Sequence, residues 1–171
     1  MKTKKPGQTK SAAPDAGLLS LDDVRLKRLL VPIDFSDHSK HALSYAVSIA
    51  SKFTAELLLL YVVEPAVYPA DLGFGQVSLS NIEEELAERA KIGLGQLVES
   101  HVAGRVKART RVRSGRPFLE IIATATEEKT DLIIIATHGH TGVEHLIFGS
   151  TTEKVVKRAP CPVLIVREVE A

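Results

Sequence analysis

Two short segments of this chain concentrate residues that can hold a small anionic ligand. One is Pro32-Ile33-Asp34-Phe35-Ser36. The other is Ala136-Thr137-His138-Gly139-His140-Thr141-Gly142, which runs on to Gly149-Ser150-Thr151. Glycines let backbone amides approach an anion closely, and a helix that starts near Ser150 adds N–H donors at its N-terminus. With the Ser150 hydroxyl beside that start, the segment has the physics of a phosphate cradle. A reading without a ligand fits too: Ser150 and Glu153 have the spacing of a capping box, S-T-T-E. Asp34, at a strand's end, is suited to accept hydrogen bonds from a ribose or a base edge. Its structural alternative is to cap the next helix, which Ser36 or Asp37 can also do.

Other constellations are weaker. His138, His140 and His145 lie within eight residues, but H-x-H has no nearby cysteine and no carboxylate set beyond Glu144 to complete a metal site. Asp34, Ser36 and His38 name the types of a hydrolytic triad within five residues, without a G-x-S-x-G elbow. No Walker A pattern occurs, and Gly73-Phe74-Gly75 does not follow a strand. Cys161, between two prolines, reads as a small buried residue rather than a reactive thiol. Arg109, Arg111 and Arg113 alternate along one segment and read as a solvated face rather than a nucleic-acid stripe.

The elements that must position these residues are legible from hydrophobic runs. Leu29 to Ile33 is a short buried strand, and Asp34 to Asp37 opens a helix whose Ala42, Tyr45, Ala46, Ile49 and Ala50 recur at helical spacing. Leu57 to Val63 is apolar throughout, as a strand buried on both faces requires. Pro65, Pro69, Gly73 and Gly75 predict a long loop over 65–79. A helix is expected from Ser80-Asn81, with Ile82, Leu86, Ala90, Leu94, Leu97 and Val98 on one face and weakened by Gly93 and Gly95. Val106 to Val112 alternates as an edge strand does. Arg116-Pro117 starts a third helix, faced by Phe118, Ile121, Ile122 and Ala125. Asp131 to Ala136 is a second strand buried on both faces, Ser150 to Arg158 a short helix, and Val163 to Val166 the last strand. Strands alternating with helices predict a doubly wound, Rossmann-like α/β domain. Its five parallel strands take the order 3-2-1-4-5, with helices on both faces. Ligands then bind beyond the carboxyl ends of the first and fourth strands, where both segments lie.

Composition bounds the function. The chain has 171 residues, with 22 Lys and Arg against 21 Asp and Glu, so no global charge drives it toward nucleic acid or an anionic membrane. With five Phe, three Tyr and no Trp, a base-stacking surface is not expected. One cysteine excludes an internal disulfide. No apolar run reaches the 18 or so residues of a membrane span, and the reading is of a soluble cytoplasmic protein. Residues 1–24, with four lysines, read as a disordered tail before a domain over 25–171.

The run from Ala136 to Gly142, then Leu146-Ile147-Phe148-Gly149-Ser150 and Ala159-Pro160-Cys161-Pro162-Val163-Leu164-Ile165-Val166, resembles the universal stress protein family. Val31 to Ser36, Gly115-Arg116-Pro117 and Thr130 to Ile133 fit the same family, so the resemblance spans about residues 26 to 168. Its nucleotide-binding branch carries G-x2-G-x9-G-[ST]. Gly139, Gly149 and Ser150 match that pattern, while Ala136 stands at the first glycine. The resemblance implies an ATP-binding or other adenine-nucleotide-binding regulatory module, with magnesium accompanying the nucleotide. Asp34 would lie near the adenosine, Val62 near the base, and Gly139, Gly149, Ser150 and Thr151 at the phosphates. It also implies a homodimer through the Val163 to Val166 edge strand. The alternatives are a dimeric interaction scaffold without nucleotide, motivated by Ala136, and a slow ATPase.

Overall fold

The computed structural model describes residues 24–65, 76–137 and 149–167, with side chains from 82 onward in the second stretch. The expected tail, apart from Val24, lies outside them. The elements are β1 (Arg28–Pro32), α1 (Asp37–Phe53), β2 (Glu56–Val63), α2 (Gln76–Leu97) with a π-helical turn at Val98–Val102, β3 (Ala108–Ser114), α3 (Pro117–Glu127), β4 (Leu132–Ala136), α4 (Ser150–Arg158) and β5 (Val163–Val166). The sheet has the order β3-β2-β1-β4-β5, and every neighbouring pair is parallel. This is the expected doubly wound arrangement.

Successive strand residues point to opposite faces, so the leucine-rich runs feed two cores at once. On one face Leu29, Val31, Leu57 and Leu59 pack with Ala42, Ala46 and Ala50 of α1 and Leu94 and Leu97 of α2. On the other, Leu30, Leu58, Leu60, Ile133 and Ile135 pack with Ile121 and Ala125 of α3 and Val155 of α4. Burying one such leucine fully contributes about 1.5–3 kcal/mol. The small residues of α1 let it lie close to the sheet. Asp131 secures the start of β1: its Oδ2 accepts the backbone N–H groups of Lys27 and Arg28, each at 2.8 Å. Among the described residues, no helix is long and apolar enough to cross a membrane.

Three features depart from the sequence reading. First, α2 begins at Gln76, so 76–79 are helical rather than loop. The breakers of that region end at Gly75, and nothing in Gln76 to Leu79 resists a helix. Its apolar stripe is covered only from Ala90 onward, because Ile82 and Leu86 remain 44% and 42% exposed. Second, Gly93 is more than a weak point. A Cβ there would sit 2.9 Å from the Phe35 ring, which also meets Tyr61 with ring centroids 5.0 Å apart. Gly95 has nothing within 4 Å of such a Cβ.

Third, the arginines of the edge strand β3 are not a free solvated face. Arg109 bonds Glu56 at 2.8 Å and Glu128 at 3.0 Å. Arg111 reaches Glu127 at 3.3 Å and also bonds Glu128. Arg113 meets Glu120 at 2.7 Å and Glu127 at 2.8 Å. The carboxylates come mainly from α3, whose crossover over the sheet no local pattern announces. They neutralise the stripe, which therefore offers little to phosphates. The Arg109 hydrogen bond, helped by Arg111, holds the Glu128 carboxyl below its ordinary value.

Two outcomes test this packing. Gly95→Ala is expected to raise stability by up to about 1 kcal/mol through helix propensity. Gly93→Ala is expected to lower it by about 1 kcal/mol, because displacing the wedged ring outweighs the same gain. Urea denaturation of both variants measures the contrast, and equal stabilisation would remove the wedge argument. A carboxyl with a depressed folded value stabilises the fold above its unfolded value, and that contribution disappears as pH falls through the folded value. Glu128→Gln should therefore cost about 1 kcal/mol near neutral pH and progressively less below about pH 4. Thermal melts across that range would show a pH-independent difference if the ion pairs are not responsible.

Candidate functional site

The carboxyl ends of β1, β2 and β4 and the start of α4 enclose a half-open cleft of about 310 Å³. From the end of β1 and the two residues after it come Pro32, Ile33 and Asp34. Ile33 donates its N–H to the Leu60 carbonyl at 2.8 Å, so the pairing of β1 with β2 continues to the cleft wall. Beyond it the chain turns sharply. Asp34 Oδ1 accepts the Ser36 N–H at 3.0 Å and the Ser36 hydroxyl at 2.5 Å. Phe35 takes φ +67°, a left-handed conformation uncommon for an aromatic residue. Its ring against Tyr61 and Gly93 supports that conformation. Ser36, not Asp34, caps α1 by accepting the Ser39 N–H at 3.2 Å. Asp34 is thereby left to hold the turn and to line the cleft.

The Ser36 hydroxyl bonds Asp34 directly, with no imidazole between them, so these residues do not form a hydrolytic triad.

From β2 come Val62 and the neighbouring Leu60 and Tyr61, with Glu64 just beyond the strand. From β4 comes Ala136, only 4% exposed and paired with Val166 of β5. Among the described residues the left-handed non-glycine positions are Phe35, Thr54, Ala103 and Lys129. Ala136 is not one of them, so alanine at the place of the family's first glycine carries no backbone strain. Its carbonyl accepts the Thr152 hydroxyl at 2.9 Å, which ties β4 to α4. Thr137 is buried and does not line the cleft. Its N–H bonds the Val166 carbonyl at 3.0 Å and its carbonyl accepts the Gly149 N–H at 2.9 Å. This pair of bonds brings the beginning of α4 back to the end of β4. His138, Gly139, His140 and Gly142 lie outside the described residues.

Gly149, Ser150 and Thr151 line the cleft from the side of α4. The capping box that the ligand-free reading assigned to Ser150 and Glu153 does not form. Gly149 is the cap residue, no side chain caps this helix, and Ser150 is already its first helical residue. Ser150 therefore stands one position too late to reach back as a cap. Glu153 instead holds Lys157 at 2.6 Å. That bond keeps its carboxyl below the ordinary value. The N-terminus of α4, positive by its macrodipole, thus opens on the cleft with a serine hydroxyl beside it.

Lining residues absent from the sequence reading of the site are Ser39, Leu60, Tyr61, Glu64, Pro117, Ile121, Ile135 and Thr152. Pro117 and Ile121 belong to α3, and only the crossover brings them there. Among the described residues no cluster of three or more His, Cys, Asp or Glu side chains can hold a metal ion, and the three-histidine loop lies outside them. Cys161 is half-buried, and burial pushes its thiol above the ordinary value, as a structural cysteine requires.

Comparison with known proteins agrees with this architecture. The family model described as the universal stress protein family matches residues 25–167. The universal stress protein MJ0531 of Methanocaldococcus jannaschii is 36% identical over 142 residues, covering 83% of this chain and 82% of that protein. The solved universal stress protein UspA from Lactobacillus plantarum superposes with a TM-score of 0.75 at 32% identity, over 84% of this chain and 99% of that one. A universal stress protein solved in complex with cAMP superposes with a TM-score of 0.56 at 26% identity, over 84% and 98%. The chain belongs to the universal stress protein family.

Proposed function

We propose that this universal stress protein is a regulatory module that binds an adenine nucleotide, ATP foremost, in the cleft at the ends of β1 and β4. The observation that carries this reading is the start of α4. Its Gly149-Ser150-Thr151 turn, without a side-chain cap, faces the same cleft that Asp34 and Val62 line from the strands. Phosphates would lie against Ser150, Thr151 and the first amides of α4, together with Gly139. The adenosine would lie toward Asp34, with Val62 against the base. The cleft volume is at the lower end of small-molecule sites, and its open side leaves room for a phosphate tail. The relative crystallised with cAMP supports an adenine nucleotide as the ligand class. Magnesium would arrive on the phosphates, which supply its ligands with water.

The cleft argues for binding and against fast turnover. Hydrolysis needs a base to orient water and a cation on the transferred phosphoryl. Among the described lining residues the carboxylates are Asp34, which already holds the Ser36 turn, and Glu64, and no lysine or arginine lines the cleft. The protein would then act through nucleotide-dependent conformation or partner choice.

We further propose a homodimer through β5. This strand ends the sheet, and its Val163, Leu164 and Ile165 are half-buried. The opposite edge, β3, carries the paired arginines, which discourage strand addition.

Isothermal titration with Mg-ATP tests the first reading, together with an assay for nucleotide carried through purification. Micromolar binding or co-purified ATP is expected. Ser150→Ala should weaken ATP several-fold, the worth of one phosphate hydrogen bond. Absence of both binding and carried nucleotide would favour the interaction scaffold. Rapid phosphate release abolished by Ser150→Ala would favour the ATPase. Light scattering at micromolar concentration is expected to give a dimer mass, and a monomer would remove the β5 proposal.

A further inference from the structure

Lys154 of α4 stands over the ring of Phe118, its Nζ 5.0 Å from the centroid. The guanidinium of Arg158 shares the same ring at 5.5 Å. The two cations, one helical turn apart on α4, therefore share one aromatic ring. Among the described residues no carboxylate is within ion-pair distance of Lys154, whereas the nearby Lys157 is held by Glu153. Lys154 follows Thr151 by three residues and Ser150 by four, so it occupies the stripe of α4 below both cleft-lining residues. The rise from Ser150 is about 6 Å, and helical side chains lean toward the N-terminus, here toward the cleft. Phe118 follows Pro117 directly and lies within the turn that ends at Ile121, and Pro117 and Ile121 line the same cleft. Neither Phe118 nor Lys154 lines the cleft itself; the aromatic rest keeps the ammonium about one helical turn from residues that do.

From this geometry we propose that Lys154 is the cation that distinguishes nucleotide polyphosphates from monophosphates. Without ligand it rests on Phe118 beside Arg158. A β- or γ-phosphate extending past the start of α4 draws it off the ring on its flexible four-carbon stem, and Arg158 keeps the ring. A monophosphate ends at the α4 amides and Ser150 and does not reach it. The inference rests on the nucleotide-binding reading above and adds the chemical class that the cleft prefers.

Titration of ATP and AMP into the wild-type chain and into Lys154→Gln, Lys154→Arg and Lys157→Gln tests it. Lys154→Gln should weaken ATP about five-fold, the worth of one exposed ion pair, and change AMP by less than two-fold. It should also flatten the salt dependence of ATP binding. Lys154→Arg should keep most of the ATP preference. Lys157→Gln removes the same charge two turns from Ser150 and should leave the ATP-to-AMP ratio within two-fold. If the wild type binds ATP but Lys154→Gln leaves that ratio unchanged, or lowers both ligands equally, the role of Lys154 is overturned and the cleft reading survives. If the wild type binds neither nucleotide, the cleft reading fails and this inference with it.

Discussion

Strand β1 lies between β2 and β4, and this pairing is the constraint from which the rest of the structure follows. Leu30 stands in register with Leu58 on one side and Ile133 on the other. The chain winds outward from β1 in both directions, so α1 and α4 start from the same end of the sheet in opposite layers. A crevice opens between them because no crossover can fill it. The apolar runs enforce this position: a strand with leucine or valine on both faces is stable only where helices cover both. Hydrogen bonds to Asp131 from the two residues at the head of β1 then hold β1 against β4.

Polar contacts at the cleft build its walls before they serve any ligand. Asp34 organises the turn after β1, Thr137 receives Gly149, and Thr152 bonds the last carbonyl of β4. Each of these bonds fixes backbone that would otherwise be loose at a sheet end, where the ladder stops. The consequence is a start of α4 placed by hydrogen bonds from outside the helix rather than by a cap of its own. A helix N-terminus placed in this way keeps its electrostatic character for something else. The strained Phe35 belongs to the same construction. Its left-handed backbone is tolerated because α2 offers a glycine to its ring, so a helix on one face of the sheet supports a turn on the cleft.

Charge follows the same division of labour. Arginines on β3 are matched by glutamates of α3 and its C-terminal cap and by one of β2, which stabilises the edge and removes a competing anion site. The cations of α4 are arranged differently, with Lys157 paired to Glu153 while Lys154 and Arg158 rest on an aromatic ring. An aromatic face binds a cation weakly compared with a buried carboxylate and so keeps it available.

Strand and helix types and the sheet order were legible in the sequence, because each depends on local periodicity and on the handedness of parallel crossovers. That order also put the strand-end Asp34 and the Gly149-Ser150 helix start at one end of the sheet, where both line the cleft. What the sequence left open was settled by contacts between elements. The motif S-T-T-E permits a capping box, yet the Thr137 bond to Gly149 begins α4 one residue earlier and frees Ser150. Gly93 reads as a helix defect until Phe35 is seen against it. The alternation of Arg109, Arg111 and Arg113 shows a polar face but not the glutamates opposite, and Pro117 and Ile121 carry no sign that they reach the cleft. Local pattern determines which faces of a segment are apolar. Only the crossovers decide which segments meet, because that choice is made by the burial of every strand at once.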